Sequence, residues 1–180
     1  MNKGLSLTIR EEKPADHEAV ESLIQRTFTL AEHSGGDEHL LVKRLRKSTA
    51  FISELSLVAE LGNDLVGHIL LTKVIIKSDE SEFESLALAP VSVLPEFQNK
   101  GIGGKLIQAA HDQAREMGFT SLILLGHENY YPRFGYKPAH VFDISFPFDA
   151  PPENCMVIEL SPNSLKYISG EVVYPKEFFE

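Results

Sequence analysis

Residues 86–106 read L-A-L-A-P-V-S-V-L-P-E-F-Q-N-K-G-I-G-G-K-L. A buried strand broken by a proline gives way to a polar-and-glycine turn and then to helical spacing, the order that aims backbone N–H groups at a phosphate. Gly101, Gly103 and Gly104 stand where the helical period begins, with Gln98, Asn99 and Lys100 just before them and Ile102 and Lys105 among them. Glycine admits unusual φ angles and lets a ligand approach the backbone closely. The first four N–H groups of the following helix lack intrahelical partners and sit at its positive end, so a pyrophosphate can accept several of them. Lys100 and Lys105 add charge. Taken alone, the same letters also fit a glycine connector in a tight turn. Two nucleotide motifs are excluded: a Walker loop needs glycine at Asn99 and Ser or Thr at Leu106, and the dinucleotide fingerprint from Gly101 needs glycine at Leu106.

With 180 residues and 43% hydrophobic content, the chain suits one domain, residues 1–180, with a core over about 5–160 and an extension over 161–180. Its 26 acidic and 17 basic residues give a net charge of −9, which disfavours a nucleic-acid partner and favours a cationic small substrate. One cysteine, Cys155, excludes an internal disulfide and fits a reducing compartment, where it reads as a small core residue. No apolar run approaches membrane-spanning length, so a soluble cytoplasmic protein without a membrane partner is expected.

Leu5, Leu7 and Ile9 alternate with polar residues as in a half-buried strand, and after Pro14 the spacing Val20, Leu23, Ile24, Thr27, Phe28 predicts a first helix. A second is expected over Asp37–Lys47, acids leading and bases trailing. Leu55–Leu61 and Leu65–Ile76, joined by Gly62-Asn63-Asp64, read as a β-hairpin, and Phe83–Val93 as the fourth strand of an antiparallel meander. Pro90 inside that strand predicts a local loss of pairing. A third helix runs from Ile102 to Met117, Gly118 caps it, and the apolar Ser121–Leu125 forms a fifth strand, parallel to the fourth across a crossover. Phe142–Phe146 and Met156–Leu160 read as two late strands, and the apolar tail Leu165–Glu180 docks on the body or supports a homodimer.

Q-N-K-G-I-G after a strand resembles the Q/R-x-x-G-x-G/A pyrophosphate loop of the GNAT superfamily of acyl-CoA-dependent N-acyltransferases. Y-P-R-F-G-Y, Tyr131–Tyr136, resembles the family's Y-x-x-x-G-F segment, with Tyr136 in place of the usual phenylalanine. The wider G-H-x-x-Y-Y-P-R-F-G-[FY] pattern is similar to a branch of predicted bacterial GNAT N-acetyltransferases. The resemblance implies an α/β (α+β) fold of about seven mixed strands and about four helices, with the parallel fourth/fifth pair parting around the pantetheine arm. It implies acetyl-CoA as acyl donor, no metal, and an amine of a small molecule or peptide as acceptor.

Amine attack on a thioester needs a neutral amine, a stabilised oxyanion and a protonated leaving thiolate. Backbone N–H groups of Val91, Ser92 and Val93 suit the carbonyl oxygen, Gln98–Lys105 the pyrophosphate, and Tyr131 the CoA sulfur. Some relatives carry a glutamate where Ala87 stands, so Glu84, His68 and His127 remain as ionisable residues for the base, Glu84 being the catalytic candidate. His33, Glu38 and His39 fall where the first two helices would flank the acceptor. The missing carboxylate at Ala87 also fits a non-catalytic acyl-CoA-binding or regulatory module.

Overall fold

The structure, a computed structural model, describes residues 6–29 and 35–180. Its elements run β1 (Leu7–Glu11), α1 (His17–Phe28), α2 (Glu38–Leu45), β2 (Phe51–Leu61), β3 (Asp64–Lys77), β4 (Glu82–Val93), α3 (Ile102–Glu116), β5 (Ser121–Leu125), β6 (Lys137–Pro138), β7 (Ile144–Ser145), β8 (Cys155–Glu159) and β9 (Gly170–Val173), with short 3-10 turns between. The chain forms two compact units: Met1–Leu71 with Ala89–Ala110, and Thr72–Leu88 with His111–Glu180. β3, β4 and α3 are each continuous through the points where the units divide.

In the first unit, β1 pairs antiparallel with β2, from Leu7 opposite Leu61 to Glu11 opposite Leu57. α1 buries Val20, Leu23 and Ile24 and α2 buries Val42 and Leu45, the stripes that helical spacing dictates. β2 departs from simple alternation, since Leu55 to Ala59 are buried without interruption. The reason is cover on both faces. A Cβ on Gly67 of β3 would meet Leu106 of α3 at 2.9 Å, whereas the next residue, His68, bonds Ser56, which is linked through Glu12 to Arg46 beside α2. A period-two pattern marks the half-buried strand and does not register a second layer of helix.

In the second unit, β4 and β5 pair parallel at Leu86–Leu122 and Ala87–Ile123, and the buried hydroxyls of Ser85 and Ser121 meet at 2.7 Å beside this pairing. β5 pairs antiparallel with β8, from Ser121 opposite Glu159 to Leu125 opposite Cys155, and β6 adds to the far side of β8. The tail returns as β9, antiparallel to β3 through Ile75–Val173 and Lys77–Glu171, and parallel to β7. Val74, Ile76, Ala87, Ile123, Val157, Leu165, Val172 and Tyr174 share this unit's core.

The mixed α/β class and the parallel β4/β5 pair agree with the sequence reading, while the element count differs. The Tyr-rich segment is a 3-10 turn, Tyr131–Phe134, ended by Gly135 at φ 99°; with Pro132 inside and glycine after it, no α-helix has room to propagate. The expected strand Phe142–Phe146 contracts to β7, because Asp143 adopts a left-handed φ of 55° after a 3-10 turn over Ala139–Phe142. β6 and β9 are additions of two and four residues. No helix among the described residues is long and apolar enough to cross a membrane.

Candidate functional site

β4 hands over to α3 through a chain of local constraints in the first unit. Leu94 donates its N–H to Val66 O, Pro95–Phe97 make one 3-10 turn, and Gln98 is extended. Asn99 then turns left-handed at φ 59° and Gly101 at φ 79°, after which α3 begins at Ile102. A Cβ on Gly101 would meet nothing within 4 Å, so its glycine is required by backbone conformation and faces open space. No acidic residue occupies the first turn of α3, leaving the positive end of its dipole uncompensated. Gly103 and Gly104 add no side chain over the first-turn N–H groups. An open loop at the positive end of a helix has the geometry of an anion cradle.

Two side chains of the loop have structural duties. Gln98 Nε2 donates to Val93 O at 3.0 Å, folding the loop back on the end of β4. Lys100 Nζ donates to Glu96 O at 2.9 Å and lies over the Phe97 ring, 5.0 Å from its centroid. Lys105 stays exposed. The end of β4 holds Val91 and Val93 half-buried and Ser92 buried, with Ser92 Oγ lacking a hydrogen-bond partner among the described residues. Val93 O also accepts from Thr27 of α1 at 3.3 Å. The parallel register with β5 ends at Ala87, so the loss of pairing predicted from Pro90 begins two residues before that proline.

Sequence reasoning missed Gly67. Besides Leu106, a Cβ there would meet Ser92 O at 3.1 Å, so this glycine permits close approach of β3, β4 and α3. Its signal was visible as a lone glycine within a strand pattern.

In the second unit, Tyr131 sits edge-on to Tyr130 and to Tyr136, with ring centroids 5.0 Å and 5.7 Å away. Gly126 lies so close that a Cβ there would collide with the Tyr131 ring. Burial, and secondarily Tyr130, push the Tyr131 hydroxyl up to about 12, so it remains protonated at neutral pH. Tyr136 is buried and its hydroxyl meets His111 Nε2 at 2.9 Å. Burial lowers the pKa of His111 to about 4, which makes this a neutral imidazole. Tyr130 is half-buried, its ring against Tyr131 and Phe134 and under the Arg133 guanidinium at 4.4 Å.

The base candidates are dispersed. Glu84 is exposed, with Lys73 Nζ 3.4 Å from its carboxylate. His127 is exposed. His68 is sealed: Ser56 Oγ gives its only proton to Glu12, so it accepts from His68 Nε2–H, and His68 Nδ1 is left without a partner among the described residues. Burial above all, with Arg46 nearby, lowers the His68 pKa to about 4. His33 lies outside the described residues. Glu38 and His39 open α2, each with one buried polar atom lacking a partner among the described residues. Among those residues no group of three or more His, Cys, Asp or Glu side chains is placed to hold a metal ion.

Residues 53–138 match the family model for an acetyltransferase (GNAT) domain. The uncharacterized N-acetyltransferase YjhQ of Escherichia coli K12 is 39% identical over 98 residues, a match spanning 54% of either chain and so about half the length of that curated relative. The GNAT family N-acetyltransferase YhbS of E. coli, crystallised with CoA, superposes with a TM-score of 0.89 at 23% identity, covering 100% of this chain and 96% of its own. A GNAT family acetyltransferase from Brucella melitensis, crystallised with acetyl-CoA, is 32% identical over 96% of this chain and 98% of its own, with a TM-score of 0.79. With a strand–loop–helix cradle, a parallel β4/β5 pair that parts after Ala87, and a full-length relative at this identity, the chain belongs to the GNAT acetyltransferase family.

Proposed function

We propose that this chain is an acyl-CoA-dependent N-acyltransferase that moves acetyl from acetyl-CoA to a primary amine of a small molecule or peptide by direct attack. The observation that carries this is the cradle at Asn99–Gly104: two left-handed residues, open space at Gly101 and an uncompensated helix start. Its N–H groups would hold the pyrophosphate, with Lys105 and Lys100 supplying charge. Val91–Val93 would present backbone N–H groups to the carbonyl oxygen, and Ser92 Oγ, without a partner among the described residues, leaves a polar group there to be satisfied.

In the reaction the amine nitrogen bonds to the carbonyl carbon, the carbon–sulfur bond breaks, and the proton lost by nitrogen ends on sulfur. Tyr131 is assigned as the hydrogen-bond donor to that sulfur. With its pKa raised to about 12, complete transfer of its proton to a thiolate is uphill, so it stabilises the leaving sulfur while keeping its own hydrogen. Glu84, solvated and paired with Lys73, is a weak choice of base, and water is the better carrier for the proton of an incoming ammonium.

The lone Cys155 supports a reducing, cytoplasmic setting. A homodimer has less support: Leu165, Val172 and Tyr174 of the tail are buried within the chain's own second unit.

Calorimetry with acetyl-CoA, followed by thiol release across an amine panel, tests the reading. Binding with amine-dependent release of CoA thiol is expected. Binding without release on any amine would transfer support to the non-catalytic module, and absence of binding would remove both.

A further inference from the structure

We propose that the cavity lined by His140, Ile144, Phe146, Phe148, Pro152 and Cys155 receives the body of the acceptor, and that the acceptor is an aromatic primary amine. This rests on the acyl-transfer reading above and adds the substrate class.

The cavity lies wholly in the second unit and encloses about 210 Å³. That is below the roughly 300–1,000 Å³ of pockets for drug-sized ligands, a size that suits one ring with a short tail. Its walls are chiefly aromatic and aliphatic. Phe146 and Phe148 are only partly buried against the core, and Phe148 packs edge-on against Tyr174 at 4.8 Å, which fixes its ring as a wall. Aromatic walls favour an aromatic guest through offset or edge contacts in addition to area. An exposed carboxylate, Glu153, lies in the turn between the lining residues Pro152 and Cys155, and after burial its charge is the second cause that holds the Cys155 thiol pKa above its ordinary value. An apolar cage with one adjacent carboxylate matches a ring that carries an ammonium, and the net charge of −9 has the same sign preference. The raised thiol pKa also keeps Cys155 from acting as a competing thiolate nucleophile.

Strand geometry connects the cavity to Tyr131. Ile123 of β5 and its register partner Val157 belong to the apolar cluster against which Phe146, Phe148 and Cys155 pack. Leu124 points to the other face of β5, where its Cδ1 and the Tyr131 ring both crowd Gly126. The Gly126 N–H donates to Asn154 O at 2.9 Å, tying the residue beside Tyr131 to the residue before Cys155. The cavity and Tyr131 therefore occupy opposite faces at the C-terminal end of β5. At that level the β4 pairing has ended at Ala87–Ile123, and Leu125 is 48% exposed. For transfer, an amine seated in the cavity reaches past the exposed end of β5 at Leu125 to a thioester on the Tyr131 face.

Cys155 is the sole cysteine and so reports the cavity without any need for turnover. Maleimide labelling of the full chain would be timed with and without 2-phenylethylamine, with ethanolamine as the small polar control, beside acetyl-CoA turnover of the same amines. Severalfold slower labelling with 2-phenylethylamine alone, together with its faster acetylation, is expected. Phe148→Ala should raise KM for 2-phenylethylamine by about tenfold or more and remove the protection. Protection without turnover supports the cavity as an aromatic-amine site while defeating the acyl-transfer reading. Turnover of 2-phenylethylamine without protection of wild-type Cys155, or equal protection by ethanolamine, overturns the inference and leaves acyl transfer standing.

Discussion

At Tyr136 a single hydroxyl separates this chain from the more usual phenylalanine, and that hydroxyl has one partner, His111 Nε2, at 2.9 Å. Both residues are at most 2% exposed, so removing one member strands the other. Tyr136→Phe should cost about 1–3 kcal/mol, the price of a buried orphan polar atom. The double variant His111→Leu/Tyr136→Phe should recover much of that loss, because an apolar pair of similar shape has nothing left to satisfy. Urea midpoints of the three proteins decide the matter: a single variant as stable as wild type would mean the bond contributes nothing. The substitution at 136 was legible in the sequence. Its partner was not, since 25 residues and a strand separate them and only folding brings the ring of His111 to the hydroxyl. Tyr131 carries the separate, chemical prediction. Tyr131→Phe should lower kcat for the proposed transfer by about a hundredfold with KM for acetyl-CoA little changed, and unchanged turnover in steady-state assays would defeat its assignment.

At the scale of elements, two glycines show what sequence pattern reaches and where it stops. Gly101 belonged to a motif, and the structure gives the reason: φ of 79° with open space around it. Gly101→Ala should strain the loop by about 1–2 kcal/mol and weaken acetyl-CoA binding about 5- to 30-fold by calorimetry, with the core unaffected. Gly170 belonged to no pattern. It opens the four-residue β9 at φ 134°, and a Cβ there would collide with the Lys77 carbonyl, so only glycine lets this strand lie against β3. A four-residue strand has too few positions to display alternation, and its partner edge at Ile75–Lys77 is remote in sequence. Gly170→Ala should detach β9 and expose Val172 and Tyr174, read as a lowered Tm and earlier proteolysis of the tail; wild-type values in both assays would disprove the steric argument. The helices α1 and α3, by contrast, announced themselves through sustained helical spacing, with Gly118 at φ 88° capping α3, and β5 through its apolar run.

Across the whole molecule, two buried histidines among the described residues set a pH limit. His68 in the first unit and His111 in the second each have a pKa near 4, against about 6.5 in an unfolded chain, with burial the leading cause in both. A depressed histidine pKa means the unfolded chain binds a proton that the folded chain refuses. Stability is therefore full above about pH 7 and falls as pH drops from 6.5 toward 4. Each site contributes at most roughly 3 kcal/mol over that window, and two protons acting together give a limiting slope of about 2.7 kcal/mol per pH unit. The structural reasons differ. Protonating His68 would put an N–H at Nδ1, which has no acceptor among the described residues, in a pocket shared with Arg46. Protonating His111 would place a charge in a buried position beside Tyr136, with the Arg115 cation acting on it as well. Urea unfolding at pH 8, 6, 5 and 4 should show a plateau followed by this decline, and His111→Leu/Tyr136→Phe should halve the slope by removing one of the two sites. A stability that stays level down to pH 5 in the wild-type chain, or a slope that the double variant leaves intact, would show that these imidazoles do not govern the acid limit.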